Sequence, residues 1–225
     1  MPVDGMFSLM NVVRKESSPS MRSKYLVPAT LTSISEEIRK SRFLSFIQHT
    51  PDRCAAREWM AAIRAEHPQA RHCCWATLSG NPDDSQCLGF SDDGEPSGTA
   101  GRPLLQLLQG SGLGEVTAMV VRYYGGIKLG TGGLVRAYSS GVAQLLKTLP
   151  TREVQLGLVF RLECGYDELV LCQHLLQEVG CQQVVVEYLE QVLVQGECPI
   201  DKVEILGRWL NDRSQGRLRP VWLKD

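Results

Sequence analysis

Short apolar runs and amphipathic stretches follow one another along this chain, and their periods separate strands from helices. Residues 25–34 read as an extended segment interrupted by Pro28, and residues 36–40 as a polar turn. Residues 42–49 (RFLSFIQH) are apolar and aromatic enough for a strand, which gives a first antiparallel pair. From 51 to 66 the period lengthens. Ala55, Trp59, Ala62 and Ile63 recur at helical spacing, Pro51 suits a first turn, and Pro68 stops the helix near His67. Residues 71–78 (RHCCWATL) read as a strand, and residues 80–93 as loop. A helix carrying Leu104, Leu105, Leu107 and Leu108 follows, with Thr99 as its cap and Pro103 in its first turn. Residues 115–123 form a strand whose unbroken apolar run, 116–121, marks it as buried, and residues 134–149 are the closing helix.

A second pattern starts after Pro150. Residues 155–164 alternate as a strand. Residues 167–179 place Leu169, Cys172, Leu175, Leu176 and Val179 on one helix face, which Gly180 ends. Residues 182–189 and 191–197 are two strands close enough for a hairpin, residues 199–211 a helix and residues 217–223 a final strand. That order, β-α-β-β-α-β, is the ferredoxin-like pattern. The expected fold class is therefore α+β, with one domain over 24–150 and a ferredoxin-like domain over 151–225. Residues 1–23 are expected to be a disordered leader outside the fold, with Met21 as an alternative start.

Composition narrows the class. The chain has 225 residues, 43% hydrophobic and 22% charged, which excludes wholesale disorder. No apolar run reaches the ~20 residues of a membrane helix, and the first twenty residues lack the layout of a secretory signal. Residues 21–150 carry 14 basic and 11 acidic side chains, and residues 151–225 carry 8 and 12. Neither half is basic enough for a general nucleic-acid field, so any such contact needs a local patch. The eight cysteines include no C-x-x-C pair. Reduced thiols in a cytoplasmic protein are the expectation, with no zinc site.

Candidate chemistry gathers in residues 89–138, which hold twelve of the 21 glycines. Some of these glycines serve tight turns. Others lie beside two expected helix starts, close to Arg102, Arg122, Lys128 and Arg136, and helix N-termini offer free N–H groups to an anion. Tyr123, Tyr124 and Tyr138 lie among the same cations, the mixture that stacks and neutralises single-stranded nucleic acid. Strand alternation sets Tyr123 and Tyr124 on opposite faces and puts His72 with Cys74 on one face. A Cys–His nucleophile there lacks an orienting third group. The acidic run Asp83, Asp84, Asp92, Asp93 and Glu95 has oxygens for a divalent cation but not the spacing of a calcium loop. Turn formation and pairing with Arg71 or Arg102 is the competing reading. Gly130-Thr131-Gly132-Gly133-Leu134 lacks the G-x-G-x-x-G of a dinucleotide site, so no cofactor is expected.

FSDDGEPSGTAGRP followed by VVRYYGGIKLGTGGLVRAY, with AEHPQARH upstream, resembles the signature of the IMPACT family and of its bacterial branch in particular. The resemblance spans residues 25–223. It implies an N-terminal domain with a ribosomal-protein-like β-α-β fold and a C-terminal ferredoxin-like domain similar to the last domain of elongation factor G. Eukaryotic relatives regulate translation by binding an activator of an initiation-factor kinase, a pathway bacteria lack. The matching site positions are Asp92, Asp93, Glu95, Thr99, Arg102, Arg122, Tyr123, Tyr124, Lys128, Thr131 and Arg136, to which Arg71 and His72 are added from the upstream strand. Cys73 stands where relatives often carry a second His, which weakens a metal role. The leading expectation is a non-catalytic, ribosome-associated protein that binds RNA or a translation factor through this basic and aromatic face. The alternative is a hydrolase or transferase acting on a small phosphorylated or peptide-like substrate. A docking role for the ferredoxin-like sheet is a third. Oligomeric state is left open, and no membrane partner is expected.

Overall fold

The computed structural model describes residues 22–84 and 87–223. The expected leader, 1–23, and the Met21 start lie almost wholly outside the described residues. Thr32–Ile38 (β2) and Ser41–His49 (β3) form a hairpin in register Ile38↔Ser41. Its two-residue turn is Arg39 and Lys40, at φ 48° and 64°, the turn hand that matches strand twist. The expected turn over 36–40 is thus only two residues long, because alternating burial carries β2 through Ile38.

His72–Leu78 (β4), Leu88–Ser91 (β5) and Val116–Tyr123 (β6) complete a five-stranded sheet of order β2-β3-β6-β4-β5, every pair antiparallel. β6 is central and buried along nearly its whole length. β5 falls in the expected 80–93 loop; it is a four-residue edge strand, too short for periodicity to reveal. One face of the sheet is covered by Gly101–Ser111 (α2) and Thr131–Thr148 (α3). There Phe43, Cys74, Ala76, Ala118 and Val120 meet Leu104, Leu108, Tyr138 and Val142. The other face carries Arg53–Glu66 (α1), whose Trp59, Met60 and Ile63 pack on Cys73, Met119 and Val121. Each fully buried large side chain of this kind contributes about 1.5–3 kcal/mol.

Several local expectations are corrected. Pro51 precedes α1; Asp52 is the N-cap, its carboxylate accepting the Ala55 N–H at 2.8 Å. Ala56, not Ala55 or Ala62, is the buried alanine of that helix. α3 begins at Thr131, three residues before the expected start, so Gly132 and Gly133 lie in its first turn. Lys24–Pro28 (β1) does not run on into β2. It pairs antiparallel with Thr151–Gln155 (β7), in register Lys24↔Gln155, and Gly114 N–H donates to the Leu26 carbonyl.

The C-terminal half follows the expected order. Gly157–Cys164 (β8), Gln182–Tyr188 (β9), Val192–Pro199 (β10) and Val221–Trp222 (β11) form a sheet of order β11-β8-β10-β9. Leu169–Val179 (α4) and Val203–Arg213 (α5) seal Phe160, Leu162 and Val194 beneath Leu175, Leu176, Leu206 and Leu210. This is the ferredoxin-like arrangement. The final strand is two residues long rather than seven. A mixed α+β architecture results. Among the described residues no helix is long and apolar enough to cross a membrane, and all eight cysteines are free thiols.

Candidate functional site

The loop from Asp92 to Ala100 is held by its own carboxylates. Asp92 accepts the backbone N–H groups of Gly98 at 2.8 Å and of Ala100 and Gly101 at 2.9 Å. It thereby caps α2 from outside the helix, satisfying donors that the helix start leaves free. Burial opposes the Asp92 charge, but these three donors prevail and hold its carboxyl below the usual carboxylate range. Thr99, the expected cap, instead donates its hydroxyl to the Pro96 carbonyl at 2.6 Å. Gly101 is required here, since a Cβ would stand 2.6 Å from the Ser91 carbonyl oxygen.

Three successive residues of β4 bind this loop to the sheet. His72 donates from Nδ1 to the Asp93 carbonyl at 2.9 Å, which fixes the proton on that nitrogen. The Cys73 N–H donates to the Asp93 carboxylate at 2.6 Å, and the Cys74 thiol to the Asp92 carbonyl at 3.0 Å. The Asp93 carboxylate is also paired with Arg64 of α1. Burial pushes the Cys74 thiol up to about 12, so Cys74 stays protonated beside His72 and supplies no thiolate nucleophile.

Register sets a row of side chains across the sheet. Phe43 and His72 both stand opposite Arg122. Glu95 folds back onto that row. One of its oxygens accepts from Arg122 Nη1 at 2.6 Å and from the Tyr138 hydroxyl at 2.7 Å. The Arg122 and Glu95 side chains are 6% and 5% exposed. The guanidinium lies 5.4 Å from the ring centres of both Phe43 and Tyr124, and its Nε is buried without a partner. Ser41 Oγ receives the Gly125 N–H at 3.1 Å. Gly125 runs so close to the Lys40 carbonyl that any side chain there would collide with it.

Above this buried pair opens a cleft of about 450 Å³. Arg71, His72 and Pro96 line one part; Tyr124, Lys128 and Leu129 line another; Gly130, Thr131 and Leu134 bring in the start of α3. Arg71 and Lys128 are exposed, and Tyr124 is 49% exposed. α3 has no side-chain cap, and its first intrahelical bond is Leu134 N–H to the Gly130 carbonyl. The N–H groups of its first turn therefore point outward with the positive end of an 18-residue helix behind them.

The sequence-predicted residues thus divide. Arg71, His72, Glu95, Arg122, Tyr124, Lys128 and Thr131 converge on one cleft. As contributors of charge to a ligand, Asp92, Asp93, Glu95 and Arg122 are corrected: each is spent on the protein's own backbone or on an internal ion pair. Asp92, Asp93 and Glu95 of the acidic run are thus engaged within the protein, and among the described residues no three His, Cys, Asp or Glu side chains gather in one place. Tyr123 lies on the α1 face, where its hydroxyl meets His67 Nδ1 at 2.9 Å. Tyr138 is wholly buried and packs edge-on against Phe43. Arg136 lines a neighbouring hollow with Arg39, Leu129 and Gly133, and Arg102 is exposed on α2 outside the cleft. Ser41, Phe43 and Arg64, which orient the site from the sheet and α1, carried no signal in the sequence beyond ordinary strand and helix positions.

Fold and cleft define a two-part α+β protein whose N-terminal half presents free cations and a tyrosine at an uncapped helix start. Comparison with known proteins finds two domain families along the chain. Residues 39–146 match the Impact N-terminal domain, and residues 162–217 match a domain of unknown function, DUF1949. An IMPACT family member from Haemophilus influenzae is 48% identical, over 87% of this chain and 95% of its own length. The IMPACT family member YigZ of Escherichia coli is 48% identical over 89% and 98%. A crystal structure described only as that of a hypothetical protein is 44% identical, with a TM-score of 0.70 over 91% of this chain and all of its own. The chain belongs to the IMPACT family.

Proposed function

We propose that this protein binds RNA by taking one nucleotide into the cleft. The base stacks on Tyr124, and the phosphate meets Arg71, Lys128 and the first-turn N–H groups of α3. One observation carries the reading: two exposed cations, an exposed aromatic ring and an uncapped helix start line the same cleft. Stacking on an aromatic face contributes about 1–3 kcal/mol per base and tolerates any base. Phosphate contacts add a term that falls with salt. Arg122 takes no phosphate charge directly, because Glu95 neutralises it; it stiffens Tyr124 from beneath. Regulation of translation through such binding is the biological role this reading favours.

Anisotropy titration of a labelled single-stranded RNA across a salt series tests this. Arg71→Ala and Lys128→Ala together are expected to weaken binding at least tenfold and to flatten the salt slope, by roughly 0.7 for each phosphate no longer neutralised. Tyr124→Ala is expected to weaken binding with the slope unchanged. RNA affinity that is absent at low salt, or indifferent to all three changes, removes the reading.

A further inference from the structure

The geometry points to a phosphorylated strand end, a terminal phosphomonoester, as the group this cleft selects, with the following nucleotides lying over the adjoining basic hollow. The inference rests on the RNA reading above and specifies which part of the RNA enters.

Charge is the first argument. Glu95 cancels Arg122, so the cleft retains Arg71 and Lys128 together with the partial positive charge, roughly half a unit, of the α3 start. An internal phosphodiester brings one negative charge. A phosphomonoester brings about 1.5 to 2 at neutral pH and three acceptor oxygens, which matches two cations and a set of helix N–H groups more closely. Burial supplies an independent second argument. Arg122 is 5% exposed, lines the cleft and keeps its Nε donor without an acceptor. Buried donors of this kind are rarely left unmade, and a small shift of the Arg122 side chain toward the cleft would let a ligand oxygen satisfy it.

Size and surroundings supply the third. About 450 Å³ lies in the range of a single small-molecule site. A strand held along its length needs a groove with successive stacking faces, whereas Tyr124 is the one exposed aromatic among the described cleft residues. Next to the cleft, across Leu129, the hollow that contains Arg39 and Arg136 places two exposed cations where the second and third phosphates would run.

Competition anisotropy with the full chain tests this, using one short RNA made with a 5′-phosphate, a 3′-phosphate or hydroxyls at both ends, together with free uridine 5′-monophosphate. A phosphate at one end is expected to raise affinity at least tenfold over the hydroxyl form. Arg71→Ala with Lys128→Ala should erase that difference. Arg39→Ala with Arg136→Ala should weaken every RNA at least threefold and leave the mononucleotide unchanged. If neither terminal phosphate alters affinity while RNA still binds and still depends on Arg71 and Lys128, the strand-end inference falls and RNA binding stands. If the mononucleotide binds as tightly as the phosphorylated RNA and the Arg39 and Arg136 changes do nothing, the phosphomonoester site stands and the RNA reading falls.

Discussion

Glu95→Ala is expected to destabilise the N-terminal half by about 3–5 kcal/mol, the scale for removing one partner of a buried ion pair. The change strands the Arg122 guanidinium at the floor of the cleft and takes the acceptor from the Tyr138 hydroxyl. Burial already holds the Tyr138 phenol far from ionisation, so that hydroxyl stays a donor in need of a partner. At roughly 2–4 °C per kcal/mol for a chain of this size, the melting temperature should fall by about 6–20 °C. Calorimetry or urea unfolding measures it. Glu95→Leu combined with Arg122→Met should recover much of the loss, since apolar replacement of a whole buried pair is often neutral. A single-variant loss under about 1 kcal/mol would show that the pair lies in water, where such pairs are worth little.

The second large effect is expected at Asp92. Asp92→Ala leaves the N–H groups of Gly98, Ala100 and Gly101 without their acceptor. A cap alone is worth about 0.5–2 kcal/mol and charged hydrogen bonds add to it, so about 2–3 kcal/mol is expected. The pH dependence has a definite sign. The folded carboxyl lies below the ordinary aspartate value of 3.8. Its contribution is therefore complete above the unfolded pKa and is lost as pH falls through the folded one. Glu168, held below its usual range by the Gly165 N–H and Arg217, slopes the same way. Comparison of the native chain with Asp92→Asn isolates the Asp92 part. Their difference in urea unfolding should be full at pH 7 and shrink below about pH 4. A difference independent of pH would mean that charge on Asp92 does nothing for the α2 cap.

The larger part of the fold was legible in hydrophobic period. β6 announced itself by an unbroken apolar run, α4 by its single face and its closing Gly180, and the C-terminal half by strand and helix order. Short elements escaped: β5 has four residues and β11 two, too few to establish a period. The cleft was half legible. Glycines beside cations drew attention to Lys128, Thr131 and Tyr124. Nothing local distinguishes Arg122, a buried structural cation, from Lys128, an exposed one. That difference is made by Glu95, 27 residues away in the chain, folding back on the sheet. Thr99 was misplaced as a cap for a related reason. Asp92, seven residues earlier, reaches the same donors with a charged group and wins.

One consequence concerns synthesis. β1 is the first described strand to leave the ribosome, and its hydrogen-bonding partner β7 follows α3 at the far end of the N-terminal half. Tyr25 and Val27 are buried once in place, so until Gln155 emerges they have no finished shelter. The sheet and its three helices can assemble during translation, but the opening segment must wait, and closing so long a loop is slow. The N-terminal half is thus sealed only as the ferredoxin-like half begins to appear, which couples the completion of one to the arrival of the other.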